Sequence, residues 1–389
     1  MHKIASPNSC SYYLKMEHNQ IQKITSALTQ AYAWVKSRRK QYPDADDVWS
    51  LRRDWMTTEP QLVQALAAGQ YQFSQTAMMT TKAGTRVTVA SASDACVLKA
   101  LALMLQAHID NHCKKKDRPY NCQGMGGSKK ALQKVDYLLG DGYRFIFKTD
   151  IANYYASIEH ELLYSLIRKL WKNPPAWVNL IYAAMKAGLY EAGHYYDTNI
   201  GIIKGSPLSY VLGSYYLSEI DRTFMRKKSV KYVRYMDDII ILTKTRSALH
   251  RAIATCRGIV ASLKLTLSHE KTYVGKTNKD FTFLGYCFKG ASILEVAPQT
   301  IAKSLARVTS LLEQQTLTKE RLEKHVQGFV RWAKGGLTGL IDPLKARDAL
   351  LKALDEAGIN QLLALLERKN INRKNRGILW LKESWHCRC

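Results

Sequence analysis

The stretch that most restricts what this chain can become runs over residues 233–242, Val-Arg-Tyr-Met-Asp-Asp-Ile-Ile-Ile-Leu. Its β-branched and apolar residues predict a buried strand pair that turns at Met236 and Asp237. Two adjacent carboxylates, Asp237 and Asp238, interrupt that run. Anions buried side by side are costly unless a cation joins them. A solvated turn is the ordinary setting for an Asp pair. Here Val233 and Tyr235 on one side and residues 239–242 on the other leave little room for solvent, so a divalent metal is the expected partner.

A second apolar strand, residues 143–151, closes on another carboxylate, Asp150, followed by Tyr154 and Tyr155. Hard oxygens from several Asp residues suit Mg²⁺, which keeps some waters and takes phosphate oxygens as further ligands. Two such ions can stabilise both the attacking and the leaving oxygen of an in-line displacement.

At these residues the chain resembles a known family. Tyr235-Met236-Asp237-Asp238 is similar to the catalytic motif of reverse transcriptases, and residues 150–158 resemble their first metal-binding motif. Between them, Gly201-Ile202-Ile203-Lys204-Gly205-Ser206-Pro207-Leu208-Ser209 resembles the template-and-nucleotide loop. Ser268-His269-Glu270-Lys271-Thr272 and Phe283-Leu284-Gly285-Tyr286 resemble the two motifs that follow the catalytic hairpin. One motif alone is weak, but five in order over residues 70–290 are specific, and they look most like prokaryotic enzymes of the group II intron type and their free-standing relatives.

The resemblance implies an α+β right-hand polymerase with fingers, a palm of antiparallel sheet and helices, and a helical thumb. Its consecutive parts would be an N-terminal helical extension (1–70), fingers (71–142, with a further piece around 159–200), palm (143–290), thumb (291–365) and a basic tail (366–389). It also implies roles. Asp150, Asp237 and Asp238, with the backbone of Ile151, would hold two Mg²⁺ ions, Mn²⁺ being the alternative. Lys82, Arg86, Tyr155, Lys204, Gly205 and Lys271 would meet the nucleotide, the Tyr155 ring excluding a ribose 2′ hydroxyl. Phe283, Leu284, Gly285 and Tyr286 would grip the primer. Two departures stand out: Lys204 occupies a position where the family usually has Gln, and Ser209-Tyr210 replaces the Ser-Gln of the diversity-generating type.

Composition agrees with a polyanionic partner. Lys and Arg number 58 against 32 Asp and Glu, a formal charge of +26. Nucleic acid, which releases counterions when basic groups bind it, is the natural partner, and a membrane surface the competitor. No uninterrupted apolar stretch reaches the roughly 18 residues of a membrane-spanning helix, and the polar start lacks an apolar signal core, so no membrane and a cytoplasmic location are expected. The eight cysteines are widely spaced and read as reduced thiols. The ending His386-Cys387-Arg388-Cys389 could supply half a zinc site, but no Cys-x-x-Cys partner exists.

Helical spacing is expected over residues 17–42, 46–68 (stopping at Gly69), 91–108, two helices broken near Pro174 and Pro175 within 159–193, then 209–220, 245–263 and several beyond Val296. Residues 112–134, with Lys114 to Lys116 and glycines at 124, 126 and 127, read as a flexible basic loop that follows a nucleic-acid backbone. They lack the spacing of a P-loop. The basic run from Arg368 to Arg376 reads as an RNA clamp or a tail.

The expected function is RNA-directed DNA polymerisation from an RNA template, with dNTPs as substrates and DNA as product. A dedicated noncoding RNA template in antiphage defence is a family-level analogy. Three alternatives stay open: an RNA-templated RNA polymerase, a template-independent terminal transferase, and a non-catalytic RNA-binding scaffold.

Overall fold

Apolar side chains three and four residues apart make one face of a helix, and Ile24, Leu28, Ala31 and Val35 are buried on α1 (Pro7–Arg38) in this way. The computed structural model describes residues 7–80, 86–112, 118–171, 175–191, 194–196, 199–289, 292–314, 316–337, 339–359 and 361. These fall into two compact units, one drawn from 1–127 and 147–273, the other from 128–146 and 274–389.

In the first unit, α1 packs on α4 (Ala92–His112) and on α3 (Trp55–Ala68), which follows the short α2 (Val48–Arg53). Tyr32 of α1 stacks on Trp55, with ring centroids 3.9 Å apart. As its sequence predicts, α3 stops at Gly69, whose φ of 68° suits glycine, and an added Cβ there would lie 2.8 Å from Cβ of Ala176. Among the described residues α4 is the one helix with the length and apolar composition of a membrane span. It is a core helix: 61% of that window is buried, packed between α1 and α8 (Pro207–Tyr216). A small sheet in the order β2 (Arg86–Val89), β1 (Thr76–Thr80), β4 (Leu189–Glu191), β5 (His194–Tyr196) flanks these helices in the chain. The expected helical pair within 159–193 forms as α6 (His160–Leu170) and α7 (Pro175–Lys186), but the end of that stretch is strand β4, which pairs with β5 beyond it.

A four-stranded sheet runs β6 (Val230–Tyr235), β7 (Asp238–Thr243), β3 (Phe145–Thr149), β8 (Tyr273–Lys276). Ile239, Ile240, Ile241 and Leu242 are completely buried on β7, each contributing about 1.5–3 kcal/mol by leaving water. Helices α9 (Ser218–Met225) and α10 (Arg246–Ser262) cover these strands. Thr245 caps α10 by accepting the Ala248 N–H. Among the described residues Cys96, Cys122 and Cys256 are buried and Cys287 is half-buried, none of them in a disulfide.

The second unit gathers α5 (Gly127–Gly140), the sheet β11 (Ser292–Val296), β10 (Tyr286–Lys289), β9 (Phe281–Phe283), and the helices α11 (Pro298–Glu313), α12 (Lys319–Lys334) and α13 (Pro343–Glu356). Asp342 caps α13 by accepting the Leu344 N–H, and Pro343 opens the helix. One expectation changes here. Residues 127–134 are helix, not loop: Ala131, Leu132, Val135, Leu138 and Leu139 form a buried stripe that Lys129, Lys130 and Lys134 obscure in the sequence. Within this unit, Lys129 and Gln133 of α5 donate to the carbonyls of Trp332 and Gly336. The Cys387 and Cys389 pair and the basic run 368–376 lie outside the described residues.

Candidate active site

Strands β6 and β7 pair antiparallel, and Tyr235 opposite Asp238 closes a two-residue turn at Met236 and Asp237. Met236 takes φ 55°, a left-handed conformation that costs a side-chain-bearing residue roughly 1–2 kcal/mol. The surroundings hold it there. Its N–H donates to Asn121 Oδ1 at 3.0 Å, and its carbonyl accepts from Arg234 Nη1 at 2.6 Å.

Arg234 is fully buried beneath this turn. Its Nε donates to Asp221 Oδ1 at 2.8 Å and its Nη2 to Asp221 Oδ2 and to the Ser214 carbonyl. Burial works against its charge, and the paired Asp221 more than offsets that, so the guanidinium stays protonated. Tyr232 donates to the same carboxylate, and Asn121 is tied to Ser214 and to Tyr210. Neither Asn121 nor Asp221 is signalled by the sequence. Arg234 is signalled only as a charge in an otherwise apolar strand.

Asp150 follows β3, and its carboxylate, with those of Asp237 and Asp238, offers ligand oxygens all within 4.8 Å of one another. Burial and the neighbouring carboxylates push Asp238 up to about 6. Asp237 is raised too, first by burial and then by Asp150. Lys271 Nζ sits 2.6 Å from Asp150 Oδ2, and that bond raises the lysine's pKa. Lys148 on β3 is drawn toward its charged form by Asp238 and Asp150, although burial lowers its pKa on balance. The segment carrying Lys271 is fixed by pairing with the Asp150 segment: Ser268 N donates to the Asp150 carbonyl at 2.7 Å and Ala152 N to the Thr266 carbonyl at 2.8 Å. Ile151 bridges Leu267 between those bonds, so its own peptide groups point away from that partner.

Tyr154 and Tyr155 begin a 3₁₀ turn (Tyr154–Ser157) and diverge. Tyr154 is buried and donates to the Gly213 carbonyl, whereas Tyr155 is half-buried, and burial and then the charge of Asp237 raise its pKa to about 12. Gly213 beneath them has no side chain; a Cβ would lie 3.4–3.5 Å from both rings. The loop of Lys204 and Gly205 docks through the Ile202 N–H on the Tyr155 carbonyl and the Thr88 hydroxyl on the Lys204 carbonyl. Lys204 itself is exposed. A groove of about 440 Å³ beside this loop is lined by Trp34, Arg38, Tyr42, Thr88 and Gly205, among others. Lys82 lies outside the described residues; Arg86 pairs with Thr80 through its backbone.

In the second unit, Phe283 and Tyr286 face each other across a two-residue turn, with Leu284 at φ 48° and Gly285 at φ 86°. Both aromatic side chains are 1% exposed. The surface of this motif is therefore its turn, Leu284 and Gly285, rather than its rings.

A three-carboxylate cluster at a strand turn, with cations and an aromatic ring around it, can bind divalent ions and align phosphate oxygens. Protein YkfC of Escherichia coli (strain K12) is 27% identical, the match covering 37% of this chain and 46% of that protein. The chain thus spans about half the length of this curated relative. Among solved structures, telomerase from Candida albicans, in complex with a fragment of telomeric RNA, has a TM-score of 0.45 at 14% identity, covering 63% of this chain and 48% of that one. Apo telomerase from Candida tropicalis has a TM-score of 0.41 at 13% identity, covering 50% of this chain and 44% of that one. The profile of the reverse transcriptase (RNA-dependent DNA polymerase) family matches residues 82–288, more than half of the sequence, and the chain belongs to that family.

Proposed function

We propose that this protein is an RNA-directed DNA polymerase that extends a primer 3′ end on an RNA template with deoxynucleotides. The observation that carries the reading is the convergence of Asp150, Asp237 and Asp238, whose carboxylate oxygens lie within 4.8 Å of one another. Divalent ions fit this donor set: the ligands are all hard oxygens, and burial first and then the neighbouring carboxylates raise the pKa values of Asp237 and Asp238, a cost that a bound cation relieves. Asp150, Asp237 and Asp238 would hold Mg²⁺, with the Ile151 carbonyl as a further oxygen. Bound there, two ions would supply charge stabilisation for the attacking 3′ oxygen and the leaving pyrophosphate.

The other residues take supporting parts in this reading. Tyr155, beside the carboxylates, crowds the sugar 2′ position. Lys271, Lys204 and Gly205, with Lys82 and Arg86, meet the triphosphate or the template backbone. The turn of Leu284 and Gly285 supports the primer strand. The protein works in the cytoplasm on RNA, and a dedicated noncoding RNA serving antiphage defence is the template this reading favours.

The test is primer extension on an RNA template with Mg²⁺. Wild-type protein extends with dNTPs; Asp237→Ala loses extension by about a thousandfold or more while keeping its RNA affinity. Extension retained by Asp237→Ala overturns the assignment. Preference for ribonucleotides in wild type indicates an RNA polymerase instead, and Tyr155→Ala is expected to admit ribonucleotides. Sequencing of nucleic acid copurified with wild type and with Asp237→Ala tests the template: one structured RNA in both, with complementary DNA only in wild type, supports it. A random RNA mixture removes the dedicated-template reading.

A further inference from the structure

Helix α12 ends at Lys334, and a helix leaves its last carbonyls without partners of its own. Here each is accounted for. The Arg331 carbonyl accepts the Gly335 N–H and the Lys334 carbonyl accepts the Leu337 N–H. The Trp332 carbonyl accepts Lys129 Nζ at 2.6 Å and the Tyr286 hydroxyl at 3.2 Å, and the Ala333 carbonyl accepts that hydroxyl at 3.2 Å. One turn farther along α5, Gln133 Nε2 donates to the Gly336 carbonyl at 2.6 Å.

The same lysine lies between two rings. Its Nζ is 4.4 Å from the Tyr286 centroid and 4.6 Å from that of Trp332, and it also donates to the Tyr286 hydroxyl. The rings stack on each other, centroids 5.0 Å apart and planes 24° apart. Beside them, the Trp332 ring would approach a Cβ on Gly285 within 3.3–3.4 Å, and the Gly285 carbonyl is held by Ala297 N and Thr300 Oγ1. A cation at a helix C-terminus and over aromatic faces is favourable in three ways at once: with the dipole, with the carbonyl and with the ring quadrupoles. Burial lowers the pKa of Lys129 to about 8, as expected for an ammonium drawn out of water.

We infer that Lys129 is a positioning residue of the polymerase: bound between Tyr286 and Trp332, it locks the Leu284–Gly285 turn to the end of α12 and so sets where the primer strand is held. This rests on the proposed polymerase reading and on that turn as the primer support. Nothing in the sequence motifs points to Lys129, which stands in a segment that reads as loop. Its contribution is geometric and does not involve the reacting atoms.

The experiment compares wild type, Lys129→Met and Lys129→Arg in steady-state extension, varying primer–template and dNTP separately, with thermal denaturation alongside. Met keeps the aliphatic stem without the charge; Arg restores charge, donors and ring contact. Lys129→Met is expected to raise KM for primer–template about tenfold, the effect of one desolvated cation contact. KM for dNTP stays unchanged, products shorten, and Lys129→Arg recovers most of the loss. Wild-type KM and product lengths in Lys129→Met overturn the inference. So does a loss confined to kcat and melting temperature with KM intact, which marks a brace for folding alone; and if Met unfolds the protein, failure of the folded Arg variant to retain near-wild-type KM overturns it as well. Absence of extension by the wild type itself refutes the polymerase reading, a result distinct from any of these.

Discussion

Three carboxylates gathered within 4.8 Å are held together against their own repulsion. Asp238 carries the imprint: its pKa rises from 3.8 to about 6, first through burial and then through Asp150 and Asp237. Between those values the folded protein keeps a proton that the unfolded chain has lost. The metal-free protein should therefore lose stability as pH rises through that window, and urea titrations in chelator at several pH values measure it. Asp238→Asn should flatten the trend, and adding Mg²⁺ above pH 6 should restore the lost stability. Arg234 presents the opposite case, a buried charge that is fully paired. Arg234→Met strands Asp221 in the interior and should cost about 3–5 kcal/mol in chemical denaturation, with much of the loss recovered when Asp221→Leu is added. The Asp pair was legible from the sequence because an apolar strand has no other reason to carry two anions. Its supports were not: Asp221 and Asn121 lie 13 and 115 residues from the groups they bond, and no local periodicity records such a distance.

At the scale of elements, the β6–β7 hairpin turns at a residue with φ 55°, and Asn121, ahead of α5, holds the one N–H that a left-handed Met236 presents. Asn121→Ala should leave the strands intact and free the turn. We expect a stability loss of about 1–3 kcal/mol, the cost of one unsatisfied buried group, together with a drop in extension rate larger than that stability loss produces. Rate measurements well below the melting temperature separate the two effects. The helices of the chain were readable wherever an apolar stripe ran undiluted, as on α1, α4 and α10. On α5 the stripe of Ala131, Leu132 and Val135 is interleaved with three lysines, and charge masked period. The short strands β4 and β5 carry only three residues each, too few for an alternation to register.

For the molecule as a whole, an excess of 26 positive charges makes binding to nucleic acid a matter of counterions. Affinity for RNA should fall about 10³–10⁵-fold between 50 and 200 mM salt if 6–10 phosphates are contacted, and filter binding across that range gives the number directly. A flat salt response would mean that the charge serves some other purpose. The buried Arg234 also bears on how such a protein can change. Its partners Asp221 and Ser214, and the Asn121 that holds the Met236 N–H, are scattered along the chain, yet they meet directly beneath Tyr235-Met236-Asp237-Asp238. The four-residue signature is thus not portable: grafted onto a foreign hairpin it would arrive without its footing. A library randomised at positions 121, 221 and 234 and selected for DNA synthesis should return these residues in linked sets, each acidic residue at 221 accompanied by arginine at 234, rather than one at a time.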